Sequence, residues 1–72
     1  MPVLLPRHPC RGCGGLHDLC HVGPGAFSVK ERYSFTCPAT QERVNFRPYR
    51  AGRFVPARPV GAVEIRRLDP GP

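Results

Sequence analysis

Cys10 and Cys13 stand two residues apart, and a third cysteine follows in Thr36-Cys37-Pro38. Thiolate sulfur is a preferred ligand of zinc, which takes four ligands in a tetrahedron. A tight Cys-x-x-Cys pair reads as a metal grip or a redox pair before it reads as a structural bridge. The second grip is incomplete. Where a further Cys-x-x-Cys would place its second sulfur, the chain has Thr40, and a hydroxyl is a poor zinc ligand. The fourth ligand must come from elsewhere, and the candidates are His8, His17, Cys20 and His21. His17 is favoured, because it lies just past the Gly14-Gly15 turn and can fold back on the metal. His8, two residues before Cys10, is next. Cys20 would complete a four-cysteine site if the stretch after the turn bends instead of extending. Otherwise it is a core thiol, with His8 and His21 facing solvent.

These side chains need elements to bring them together. Residues 1–7 read as an extended arm or an edge strand, with the short apolar run Val3-Leu4-Leu5. Arg11-Gly12-Cys13-Gly14-Gly15 is a turn whose glycines let the backbone fold back toward the thiolates. Leu16 to Val22 reads as a short strand, ended by Gly23-Pro24-Gly25. From Phe27 to Thr36 apolar residues alternate with polar ones, the pattern of a half-buried strand. That strand would return to deliver Cys37 beside the first turn. Arg43 to Arg47 would then leave again, closed by Pro48. Residues 48–60 hold three prolines and three arginines and read as a linker. Residues 60–68 carry a last short strand, and 68–72 a disordered tail.

The strings His8-Pro9-Cys10-Arg11-Gly12-Cys13-Gly14 and Thr36-Cys37-Pro38 resemble the knuckles of zinc-ribbon proteins, small uncharacterised bacterial ones among them. The resemblance covers residues 8–48. It implies a small all-β fold, a three-stranded antiparallel sheet with a structural zinc ion at one end. The ligand set becomes Cys10, Cys13, His17 and Cys37. Residues 49–72 would form a flexible Pro/Arg-rich segment. The missing fourth cysteine departs from the ribbon pattern, and ribbons serve many roles, so the likeness assigns none of them.

Length and composition narrow the function. Seventy-two residues allow one domain. A core this small supplies roughly 3–5 kcal/mol, so a metal staple is expected. Ten prolines and eight glycines argue against long helices. The net charge is +6, and ten of the eleven basic residues are arginine. Such an excess is a footprint of nucleic-acid binders, although an arginine-rich, lysine-poor chain is also what a GC-rich genome writes. Arg43, Arg47, Arg50 and Arg53, with Tyr49 between them, are the candidate contacts for nucleic acid. Arginine pairs with phosphate and aromatics stack on unpaired bases. The competing reading is an adaptor that docks on a larger protein. Apolar runs are too short for a membrane span or an export signal, and the expected compartment is the reducing cytoplasm. An enzyme is not expected. Asp18 is the one acidic residue near the first turn, and little chain is left to shape a cleft for a small substrate.

Overall fold

In the computed structural model, residues 1–68 are described, and they fold as β-strands and turns with no helix. The strands are β1 (Val3–Pro9), β2 (Leu16–His21), β3 (Tyr33–Thr36), β4 (Arg43–Phe46), β5 (Arg53–Phe54) and β6 (Val63–Arg67). They form one six-stranded mixed sheet in the order β4-β3-β6-β2-β1-β5. The three-stranded antiparallel sheet expected from the zinc-ribbon likeness is therefore corrected. Residues assigned above to the Pro/Arg-rich segment supply two of the strands, and one of them, β6, is internal.

Two hairpins make the frame. In the first, β1 and β2 are antiparallel, with Val3 opposite His21 and Pro9 opposite Leu16. In the second, β3 and β4 are antiparallel, with Tyr33 opposite Phe46 and Thr36 opposite Arg43. The hairpins do not pair with each other, because β6 lies between them, parallel to β2 and antiparallel to β3. Its ladder reaches β2 at residues 19–21 and β3 at residues 33–34. These pairings sit away from the hairpin tips. At the tip end β2 and β3 have no strand between them.

The sheet alternates as strands must. Leu5, Leu19, Tyr33, Phe35, Val44 and Ile65 enter one core cluster, with Phe27, Phe46 and Val63 packed on it. Leu4 and Cys20, one residue out of step, point to the other face, where Ala62 and Val55 cover them. The sheet coils over the larger core until β1 and β4 face each other. The rings of His8 and Phe46 lie 4.9 Å apart although four strand positions separate them.

Three local departures have physical causes. The strand expected over 27–36 begins only at Tyr33. Phe27 instead folds back to stack on Tyr33 at 5.2 Å, and the Ser28 amide donates to the Tyr33 hydroxyl at 2.9 Å. That contact satisfies the polar end of a fully buried ring. The arm at 1–7 is a strand with partners on both sides, β2 and β5. Its register slips between Leu5 and His8. There Arg7 takes a positive φ of 52° and its amide donates to Asp18 Oδ1 at 2.8 Å. The stretch at 48–60 crosses β1 at Gly52, pairs briefly as β5, and turns back over the second face into β6. The disordered tail expected at 68–72 falls, from residue 69 on, outside the described residues.

Gly52 shows how close that crossing is. Its φ is +70°, and a Cβ there would sit 2.6 Å from the Leu4 carbonyl oxygen. Gly61 also has a positive φ, +87°, but a Cβ there would meet nothing within 4 Å. Gly52→Ala is expected to lower stability by more than Gly61→Ala, roughly 2–3 kcal/mol against about 1 kcal/mol. Urea unfolding of the metal-loaded protein measures both. Equal losses would contradict the close approach of residue 52 to β1.

Candidate metal centre

The turn between β1 and β2 is closed at both ends. The Cys10 amide donates to the Gly15 carbonyl at 2.8 Å, and the Gly14 amide donates to the Cys10 carbonyl at 2.8 Å. Gly14 makes this closure with a φ of +76°, a conformation that costs other residues energy. The loop carries Cys10 inward and leaves Cys13 exposed. The Gly15 amide points at Cys13 Sγ, 3.4 Å away. His17, at the start of β2, turns its Nε2 back to Cys13 Sγ at 3.3 Å.

The second hairpin supplies the remaining sulfur. Cys37 follows the last residue of β3 and is fully buried. Its amide donates to the Glu42 carbonyl at 2.8 Å, and the Gln41 amide donates to the Cys37 carbonyl at 2.8 Å. Cys37 Sγ lies 3.6 Å from His17 Nε2. Among the described residues, the ligand atoms of Cys10, Cys13, His17 and Cys37 all fall within 4.8 Å of one another.

The distances from His17 Nε2 to the sulfurs of Cys13 and Cys37 fit a tetrahedral ion. Zn–S bonds of about 2.3 Å and Zn–N bonds of about 2.0–2.1 Å put ligand sulfur and nitrogen about 3.6 Å apart. Both S···N separations here are within a few tenths of that. The cluster can therefore hold a metal ion such as zinc, with three thiolates and one imidazole.

Thr40, a poor ligand by its type, has a different part. The Thr40 hydroxyl, the amides of Thr40 and Ala39 and the His17 imidazole favour the Cys37 thiolate. Together they hold the thiol at about 6, against the upward push of burial. The turn thus supports one thiolate instead of supplying a second. Cys13 behaves oppositely. The Gly15 amide lowers its pKa, but desolvation and the neighbouring thiols of Cys37 and Cys10 outweigh that and raise it.

The other candidates lie apart from the cluster. Cys20 is buried on the opposite face of the sheet with Leu4 and Ala62. His21, at the far end of β2, packs against Phe27 and Tyr33 at 5.7 and 5.4 Å. His8 lies between Phe46 and Tyr49 at 4.9 and 5.1 Å. His8 and His21 are buried, not solvent-facing as expected from sequence, and desolvation lowers the pKa of each.

The arginines expected to meet nucleic acid sit on different elements. Arg43, on β4, donates to Ser34 Oγ at 3.3 Å. Arg53 lies on β5 at the opposite edge of the sheet. The Arg50 guanidinium donates to the Pro6 carbonyl and sits 5.5 Å over the Tyr49 ring. Arg47 and Tyr49 share a pocket with Arg11 and Arg32. Neither Arg11 nor Arg32 falls in the arginine-rich stretch of the sequence.

No family model, curated protein or solved structure matches the chain. What its own geometry shows is a small all-β protein with a Cys3His cluster able to bind a metal.

Two outcomes are expected of the cluster. In native mass spectrometry with added zinc, the parent and Cys20→Ser should each carry one ion, while Cys37→Ser should carry none. Zinc on Cys37→Ser, or its loss from Cys20→Ser, would contradict the ligand set. Metal binding also displaces protons from thiols. The Cys37 pKa is lowered to about 6 and that of Cys13 is raised, so at neutral pH the metal has chiefly the Cys13 proton of this pair to displace. Zinc affinity should rise at least roughly ten-fold per pH unit between pH 6 and 8, and more steeply below 6, where Cys37 also takes a proton. Competition against a chromophoric chelator reads this slope, and a flat profile would contradict it.

Proposed function

We propose that this chain is a binding module stapled by a structural zinc ion, and that it contacts nucleic acid through its arginines. The observation that carries the reading is the meeting of two hairpin tips at one ligand cluster. Three ligands come from the β1–β2 hairpin and one from the β3–β4 hairpin. An ion there joins parts of the chain that share no backbone ladder at that end. In such domains the free energy of metal binding is folding free energy. Four protein ligands leave a tetrahedral ion no open position for water or substrate, which argues for a structural role and against an enzyme. Three reduced thiols suit a cytoplasmic setting.

The nucleic-acid part rests on charge and residue type. The net charge of +6 comes almost wholly from arginine, whose planar fork matches phosphate oxygens. Arg43, Arg47 and Arg53 are exposed. One feature favours the alternative of a protein adaptor. The short edge strand β5 carries Phe54, which is 74% exposed, and an edge strand can pair with another chain.

The test is fluorescence anisotropy of the zinc-loaded protein with a labelled single-stranded oligonucleotide over a range of salt. Binding is expected to weaken steeply with salt, as counterion release requires. Chelation is expected to abolish both binding and the dispersed amide resonances of the fold. Weak binding with no salt dependence would favour the protein-adaptor reading. A dispersed spectrum that survives chelation would remove the structural role of the metal.

A further inference from the structure

Where β1 faces β4, beside the sulfur cluster, the chain leaves a pocket of about 340 Å³. That is within the usual range for small-ligand sites. Both hairpins build its walls. His8 and Arg11 come from the first, Phe46 and Arg47 from the second, Arg32 from the residue before β3, and Tyr49 from the chain leaving β4. Among the described residues that line it, none is acidic.

Its aromatic side is set. His8 lies against both Phe46 and Tyr49. Tyr49 remains 66% exposed and carries the Arg50 guanidinium at 5.5 Å. His8 is only 5% exposed, yet its Nε2 has no hydrogen-bond partner. Its Nδ1 lies 3.0 Å from the Pro9 carbonyl, which can only accept, so Nδ1 carries the proton. In a neutral ring Nε2 is then an unfilled acceptor. Buried polar atoms left without a partner are uncommon in native proteins, and each one calls for an explanation.

We propose that this pocket binds a nucleotide unit, with an unpaired base against Tyr49 and the phosphate held by Arg11, Arg32 and Arg47. The proposal rests on the nucleic-acid reading above and narrows it from a basic surface to a site that takes a base. Three guanidinium groups without a carboxylate recognise a phosphate. A simple anion would make no use of the aromatic side, and an apolar peptide would leave the three cations unpaired. A nucleotide satisfies both halves, since bases stack on aromatic rings in single-stranded recognition.

The same chemistry is offered by a free nucleotide and by a single strand, so the experiment carries both. Zinc-loaded full-length protein is titrated at low salt against a labelled ten-nucleotide adenylate strand and an abasic strand of equal length. Adenosine monophosphate is added as competitor. Tyr49→Ala, Arg32→Ala and Lys30→Ala are compared with the parent, and zinc content and amide dispersion verify that each is folded. Tyr49, Arg32 and Lys30 are exposed, and Lys30 lies outside the pocket.

The base-bearing strand is expected to bind at least roughly ten-fold more tightly than the abasic one, the advantage of a single base stack. Tyr49→Ala should erase that advantage, Arg32→Ala should weaken binding, and Lys30→Ala should keep the preference. Displacement of the strand by adenosine monophosphate would support a site open to free nucleotides. Tight strand binding that the monophosphate does not displace would support a strand-only site. Equal binding of both strands, or a base preference that survives Tyr49→Ala, would overturn the pocket while leaving a basic surface for nucleic acid. No binding by any strand or by the monophosphate would overturn both readings.

Discussion

Two β-hairpins must be held tip to tip with no backbone ladder between them. The remainder of the structure depends on that constraint. At the far end β6 bridges β2 and β3 with its own hydrogen bonds. At the tip end the meeting point is made of side chains, three thiols and an imidazole. Thiolates packed this closely repel one another, and a divalent cation turns that repulsion into attraction. A cluster that is costly without metal becomes a cross-link with it. The buried core is small, and a domain of this size seldom stands on its core alone.

The arrangement also accounts for how the C-terminal third is used. Prolines at 56 and 59 and glycines at 52 and 61 take the chain over the second face of the sheet. That passage covers Leu4 and Cys20 and feeds Val63–Arg67 into the gap between the hairpins. Ile65 then sits fully buried in the main core. The β1–β4 face stays outside this wrapping, and there the pocket lined by His8, Phe46 and Tyr49 lies next to the cluster. Its walls come from both hairpins, so whatever fixes the tips also shapes the pocket.

Part of this was legible in the sequence. Cys-x-x-Cys spacing and the Gly14-Gly15 turn placed a metal grip at the tip of the first hairpin. Apolar alternation over Tyr33-Ser34-Phe35 and over Arg43-Val44-Asn45-Phe46 marked the second. The position of β6 was not legible, because a parallel partner is chosen by long-range packing that local pattern does not encode. Phe27 misled for a related reason. Its spacing fits a strand, but the larger gain came from stacking on Tyr33 and satisfying the Tyr33 hydroxyl through Ser28. Nothing in the local sequence marks His8 and His21 as buried, whereas each packs against two aromatic rings that the fold brings to it. Thr40 could have been noticed. A hydroxyl three residues after a cysteine in a tight turn is well placed to hydrogen-bond its sulfur.

The claim that one ion joins the two hairpins is tested most directly by X-ray absorption at the zinc edge on the loaded protein in solution. Three sulfur neighbours at about 2.3 Å and one nitrogen at about 2.0–2.1 Å are expected. That shell requires Cys37 from the second hairpin together with all three ligands of the first. A shell with two sulfurs and light atoms, or one dominated by oxygen, would mean that the ion sits on one hairpin or on the surface. The account of the fold as two tips tied by a metal would then be wrong.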